Sequence, residues 1–76
     1  SDIPEVNVAA PDGEIGIARL IKEAGLCPST GEANRNIDQG GVRLEGERIS
    51  DRGLKVKPGT YTLQVGKRRW AKVTVS

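Results

Sequence analysis

The stretch STGEANRNIDQGGVRLEGE, residues 29–47, changes period half-way along, and that change decides the fold. Its first half opens with a Ser-x-x-Glu capping box, in which Ser29 and Glu32 would each satisfy a free backbone donor at a helix start. Ala33 and Ile37 then fall four apart on one helical face, and Gly40 is placed to stop the helix. From Val42 the pattern alternates. Val42 and Leu44 point one way and Arg43 the other, Glu45-Gly46 makes a tight turn, and 47–49 return as the second arm of a hairpin. Glutamate is an imperfect first turn residue, because that position wants a left-handed backbone that asparagine adopts more readily. The pair Gly40-Gly41 reads as a helix stop, since the spacing and lysine of a phosphate loop are missing.

Working outward, Ile17, Leu20, Ile21 and Ala24 give an earlier helix one apolar stripe. Asp12 is the expected N-cap, Glu14 falls in the first turn and Gly25 closes the helix. Residues 1–11, with two prolines and no sustained period, read as an extended linker, and 12–76 as a single domain. Downstream, Leu54 and Val56 alternate with Lys55 and Lys57, and after Pro58-Gly59 come Tyr61, Leu63 and Val65. The expected fold is α+β: two short helices packed on a small, mainly antiparallel sheet of about four to five strands.

The last strand carries GKRRWAKV, residues 66–73, four cations around the chain's only tryptophan. Loop length sets where Trp70 points. A two-residue loop would set Trp70 inward and bury Lys72 beside Tyr61. A three-residue loop opposes Leu63 to Ala71 and Tyr61 to Val73, and turns Trp70 outward beside Lys72 and Thr74. The cost of burying lysine favours the longer loop. An aromatic framed by cations suits base stacking, although the usual place of tryptophan is a core, and both readings stand at this point.

The net charge of +2 hides a polarity. Residues 1–40 hold three Lys and Arg against seven Asp and Glu, net −4, whereas 41–76 hold nine against three, net +6. A basic half of this kind is the footprint of a polyanion partner. Catalysis has no support: histidine is absent, the carboxylates form no acid–base motif, and one cysteine, Cys27, allows neither an internal disulfide nor a metal set. Cys27 is expected to be a small buried hydrophobe. No membrane span or leader is visible, so the chain reads as cytoplasmic, and its methionine-free start reads as a piece of a larger protein.

The order of helix, SxxEA helix, GGV, strand and EGE turn resembles the small RNA-binding module named for ribosomal protein S-four. The opening DIPEV, the AGL helix end and the closing YTLQVGKRRWAKV are similar to the C-terminal domains of bacterial tyrosyl-tRNA synthetases. The resemblance implies a domain that grips tyrosine tRNA at its anticodon stem and long variable arm. It further implies that a dimeric parent binds ATP and tyrosine in another domain, with no cofactor, metal or catalytic residue in this one, which would itself be a monomer. The RNA-binding residues so implied are Ser29, Thr30, Asn34, Arg35, Arg43, Lys67, Arg68, Arg69, Trp70 and Lys72. Ser29-Thr30 stands where the module usually has Ser-Arg or Ser-Lys, and Asn34 where a basic residue is common. More of the grip therefore falls to the last hairpin. The competing expectations are a protein-interaction module, in which Trp70 docks on a neighbouring domain, and the RNA-binding domain of an rRNA-modifying enzyme.

Overall fold

The computed structural model describes residues 3–10 and 12–76. Seven strands and two helices follow in the order β1 (Glu5–Val8), β2 (Ile15–Gly16), α1 (Ile17–Glu23), α2 (Thr30–Asp38), β3 (Val42–Leu44), β4 (Glu47–Arg48), β5 (Lys55–Val56), β6 (Gly59–Val65) and β7 (Arg69–Val75). Five strands form one sheet in the order β1-β7-β6-β3-β4, antiparallel except for the parallel β1–β7 pair, and β2 and β5 make a separate two-stranded sheet. Both helices lie on one face of the main sheet. The core between these layers contains Leu20 and Ile21 of α1, Ala33 and Ile37 of α2, and Val42, Leu63, Ala71 and Val73 of the sheet, all at most 1% exposed.

The second helix forms as its sequence dictates, with one half of the capping box. The Ser29 hydroxyl accepts the Glu32 N–H at 3.2 Å, while the Glu32 carboxylate pairs with Arg35 at 3.5 Å. Both helices end in the same crossed pattern of hydrogen bonds. After α1, Gly25 donates to Lys22 and Leu26 to Ile21; after α2, Gly40 donates to Ile37 and Gly41 to Asn36. Gly25 and Gly40 sit at φ +78° and +73°, a backbone that L side chains adopt only with strain, which explains why glycine holds both positions.

Three expectations are corrected. The first helix starts at Ile17 and not behind an Asp12 cap: its N-cap is Gly16, which has no side chain to cap with, and the Ile17 N–H instead donates to the Leu54 carbonyl at 2.9 Å. Ile15 and Ile17 are both buried, a period of two that belongs to a strand, and Ile15 pairs with Val56. That pairing takes residues 55–56 out of the main sheet. Residues 5–8, read as part of a linker, are extended as expected but form the sheet's first strand, with Val6 opposite Val73 and Val8 opposite Val75. A four-residue edge strand between prolines is too short to show its alternation in sequence.

Candidate nucleic-acid interface

Three residues, 66–68, connect β6 to β7, so Leu63 opposes Ala71, Tyr61 opposes Val73 and Val65 opposes Arg69. The longer of the two loops holds. Burying Ala71, Val73 and Val75 on the helix side leaves Trp70, Lys72 and Thr74 on the far face, and Trp70 is 40% exposed. Trp70 is therefore not a core residue.

Register then sets a row across that outer face. Arg48 on β4 opposes Arg43 on β3, Arg43 opposes Gln64 on β6, and Gln64 opposes Trp70 on β7. A parallel row joins Thr62, Lys72 and Glu5. Arg48 and Gln64 are additions that sequence reading missed, yet the signal was available: a two-residue turn at 45–46 pairs position 43 with 48, and a three-residue loop pairs 64 with 70. Neither Arg43 nor Arg48 has a carboxylate within salt-bridge distance among the described residues, where the ion pairs are Arg35–Glu32 and Arg52–Asp38. Beside the row, Arg43, Gln64, Lys67 and Trp70 line an open groove of about 500 Å³ walled by the backbone of Gly40 and Gly41.

The remaining candidates divide between two places. Lys67 and Arg68 stand exposed at the hairpin tip, and Lys72 lies on the outer face flanked by Glu5. Ser29 caps α2, and Thr30, Asn34 and Arg35 belong to it, on the helix side of the sheet, where Asn34 is half-buried and Arg35 is engaged by Glu32. Arg69 joins that side: its guanidinium donates to the Leu26 carbonyl at 2.8 Å and pins the hairpin to the loop between the helices. Cys27 in the same loop is 5% exposed, and the Asn36 amide donates to its sulfur at 3.6 Å. Burial pushes its thiol above the ordinary value, outweighing the pull of the nearby Arg69 charge, while Glu32 adds to the rise. A second cleft, of about 270 Å³, mixes Asp12 and Glu14 with Arg19 and Lys55 and so presents balanced charge to a polyanion. Among the described residues no cluster of three or more metal-ligating side chains occurs, and no helix is long and apolar enough to cross a membrane.

Residues 16–60 match the model of the S4 domain. The chain belongs to the S4 domain family. Over 75 residues, 99% of its length, this S4 domain is 60% identical to a tyrosine–tRNA ligase of Ralstonia nicotianae, of which it covers 19%. It is 55% and 53% identical to the ligases of Cupriavidus pinatubonensis and Burkholderia lata, covering 18% of each. The S4 domain thus spans about a fifth of the length of these curated relatives. Its fold is similar to the solution structure of a tyrosyl-tRNA synthetase C-terminal domain, with a TM-score of 0.72 at 21% identity over 93% of this chain and 78% of that one.

Proposed function

We propose that this S4 domain is the tRNA-binding part of a tyrosine–tRNA ligase. In this reading it holds tyrosine tRNA by the anticodon stem and long variable arm while the rest of a dimeric cytoplasmic enzyme binds ATP and tyrosine and performs the ligation. The domain itself supplies no catalytic group and needs no cofactor. The observation that carries the reading is the set of cations without carboxylate partners among the described residues, Arg43 and Arg48 on the outer face with Lys67 and Arg68 at the adjoining tip. Such cations release counterions when they meet phosphates, which gives affinity without reading sequence, whereas tRNA shape and register supply the selectivity. Near-complete coverage of the chain by a ligase relative at 60% identity supports the choice of parent.

The test is binding of tyrosine tRNA across a salt series, followed by anisotropy, beside the same tRNA without its variable arm. About four phosphate contacts give a slope of log affinity against log salt near −3. Loss of the arm is expected to weaken binding. A flat salt response, or charge reversal at Arg43 and Arg68 that leaves affinity unchanged, would overturn the reading in favour of a protein-docking module.

A further inference from the structure

The outer-face row does more than collect positive charge. We propose that Trp70, Gln64, Arg43 and Arg48, with Lys67 at the groove's edge, form a site for one unstacked nucleotide, its base on the Trp70 indole and its phosphate among the arginines. This site rests on the RNA-binding reading above and adds to it a preference for RNA with an open base.

Three observations converge on a nucleotide. First, Trp70 is the one large aromatic on the outer face and is 40% exposed in a groove of about 500 Å³, within the range of small-ligand clefts. An indole open on a polar sheet offers a π surface to any base. Second, the Gln64 amide is oriented. Its Nε2 donates to the Gly66 carbonyl at 2.9 Å, and because a carbonyl only accepts, the nitrogen must lie on that side. Gln64 stands directly across the ladder from Trp70, and with Nε2 engaged its Oε1 is the amide's remaining acceptor, suited to an N–H on a base edge.

Third, Arg43 and Arg48 sit directly opposite each other on adjacent strands, an arrangement that repels. The Arg48 side chain lies against Gly40 along its end, guanidinium included: a Cβ on Gly40 would come within 3.4 Å of Arg48 Cδ and 3.6 Å of its Nη1. A phosphate between the two guanidinium groups converts the repulsion into charge-assisted contacts. The order along the row suits the ligand: cations at one end for the phosphate, an acceptor in the middle for the base edge, and an aromatic at the other end for the ring.

Because Trp70 is the only tryptophan, its emission reports on the site without any mutation. The intact chain is titrated with a short unstructured single-stranded RNA and with a blunt duplex of equal phosphate count, both followed by anisotropy and by indole fluorescence. The single strand is expected to quench the emission and shield it from acrylamide, whereas the duplex binds without doing either. Trp70→Ala should weaken the single strand about tenfold and leave the duplex within about twofold, and Trp70→Phe should keep most of the affinity. Single-strand binding that leaves Trp70 emission and accessibility unchanged overturns the nucleotide site alone and leaves the RNA-binding reading standing. Equal weakening of both RNAs by Trp70→Ala overturns it as well. A single strand that fails to bind where the duplex binds overturns the nucleotide site alone, and failure of both RNAs to bind at low salt overturns both readings.

Discussion

Glu45 shows how one side chain settles a conflict between local and tertiary preference. It occupies φ +54° in the β3–β4 turn, a conformation that costs any residue with a Cβ and costs glutamate more than asparagine. Its backbone N–H donates to the Thr62 carbonyl at 2.8 Å, after which the chain turns away and leaves the neighbouring Thr62 N–H without a backbone acceptor. The Glu45 carboxylate fills that gap, with a reach that asparagine lacks. Glu45→Ala is therefore expected to lower stability by about 0.5–1 kcal/mol, the net worth of one hydrogen bond at a site that water can reach. Glu45→Asn should remain below the parent despite its better turn propensity, and Glu45→Gln should recover most of the loss; denaturant midpoints check all three. Cys27 gives a second prediction. Its pKa is raised by burial, so the neutral thiol is favoured in the fold. That contribution is fully present below the ordinary thiol pKa and is lost as pH rises through the folded value. Stability should thus fall on the alkaline side, and Cys27→Ala should remove that part of the fall while leaving neutral-pH behaviour comparable.

At the scale of elements, helices and antiparallel hairpins were legible because their signals are local. The Ser29 cap, the Gly25 and Gly40 stops and the 45–46 turn each act within a few residues, and the 66–68 loop length followed from the cost of burying Lys72. The first strand was not legible. Nothing in Glu5 to Val8 announces a partner some 67 positions away, because a parallel edge strand is chosen by the sheet it joins and not by a turn. The candidate site was half legible for a similar reason: Trp70, Lys67 and Arg68 stand out in sequence, whereas Arg48 and Gln64 matter only through register. The β1 pairing has a direct test. Lys72 donates to Pro4 and Ser76 to Val8, while Ala10 donates to Ser76, and this parallel alternation turns the Val6 and Val8 N–H groups toward β7 and those of Glu5 and Asn7 away. Hydrogen exchange by NMR should show Val6 and Val8 protected and Glu5 and Asn7 open. Uniformly fast exchange through 5–8 would mean that the segment behaves as the linker its sequence suggests.

For the whole molecule, the layered fold separates two tasks that compete for the same residues. The helix-facing side of the sheet is given to Ala71, Val73, Val75 and Leu63, which hold the core, and the other side is polar and carries Arg43, Arg48 and Lys72. Strand alternation lets a stable inner face support an outer face that is electrostatically unfavourable in the absence of a partner. Arg48→Glu tests whether that outer face is kept for binding. It replaces a like-charged cross-strand pair with an opposite-charged one, which should raise stability by about 0.5 kcal/mol, and it lowers the net charge from +2 to 0. The same change removes one phosphate contact and adds a repulsive carboxylate, so tRNA affinity should fall and the salt slope should become shallower by about one unit. Stability and affinity are thus expected to move in opposite directions, read by denaturant unfolding and tRNA titration of the same variant. If both fall together, Arg48 is a structural residue of the hairpin. If stability rises and affinity holds, the arginine row faces something other than RNA.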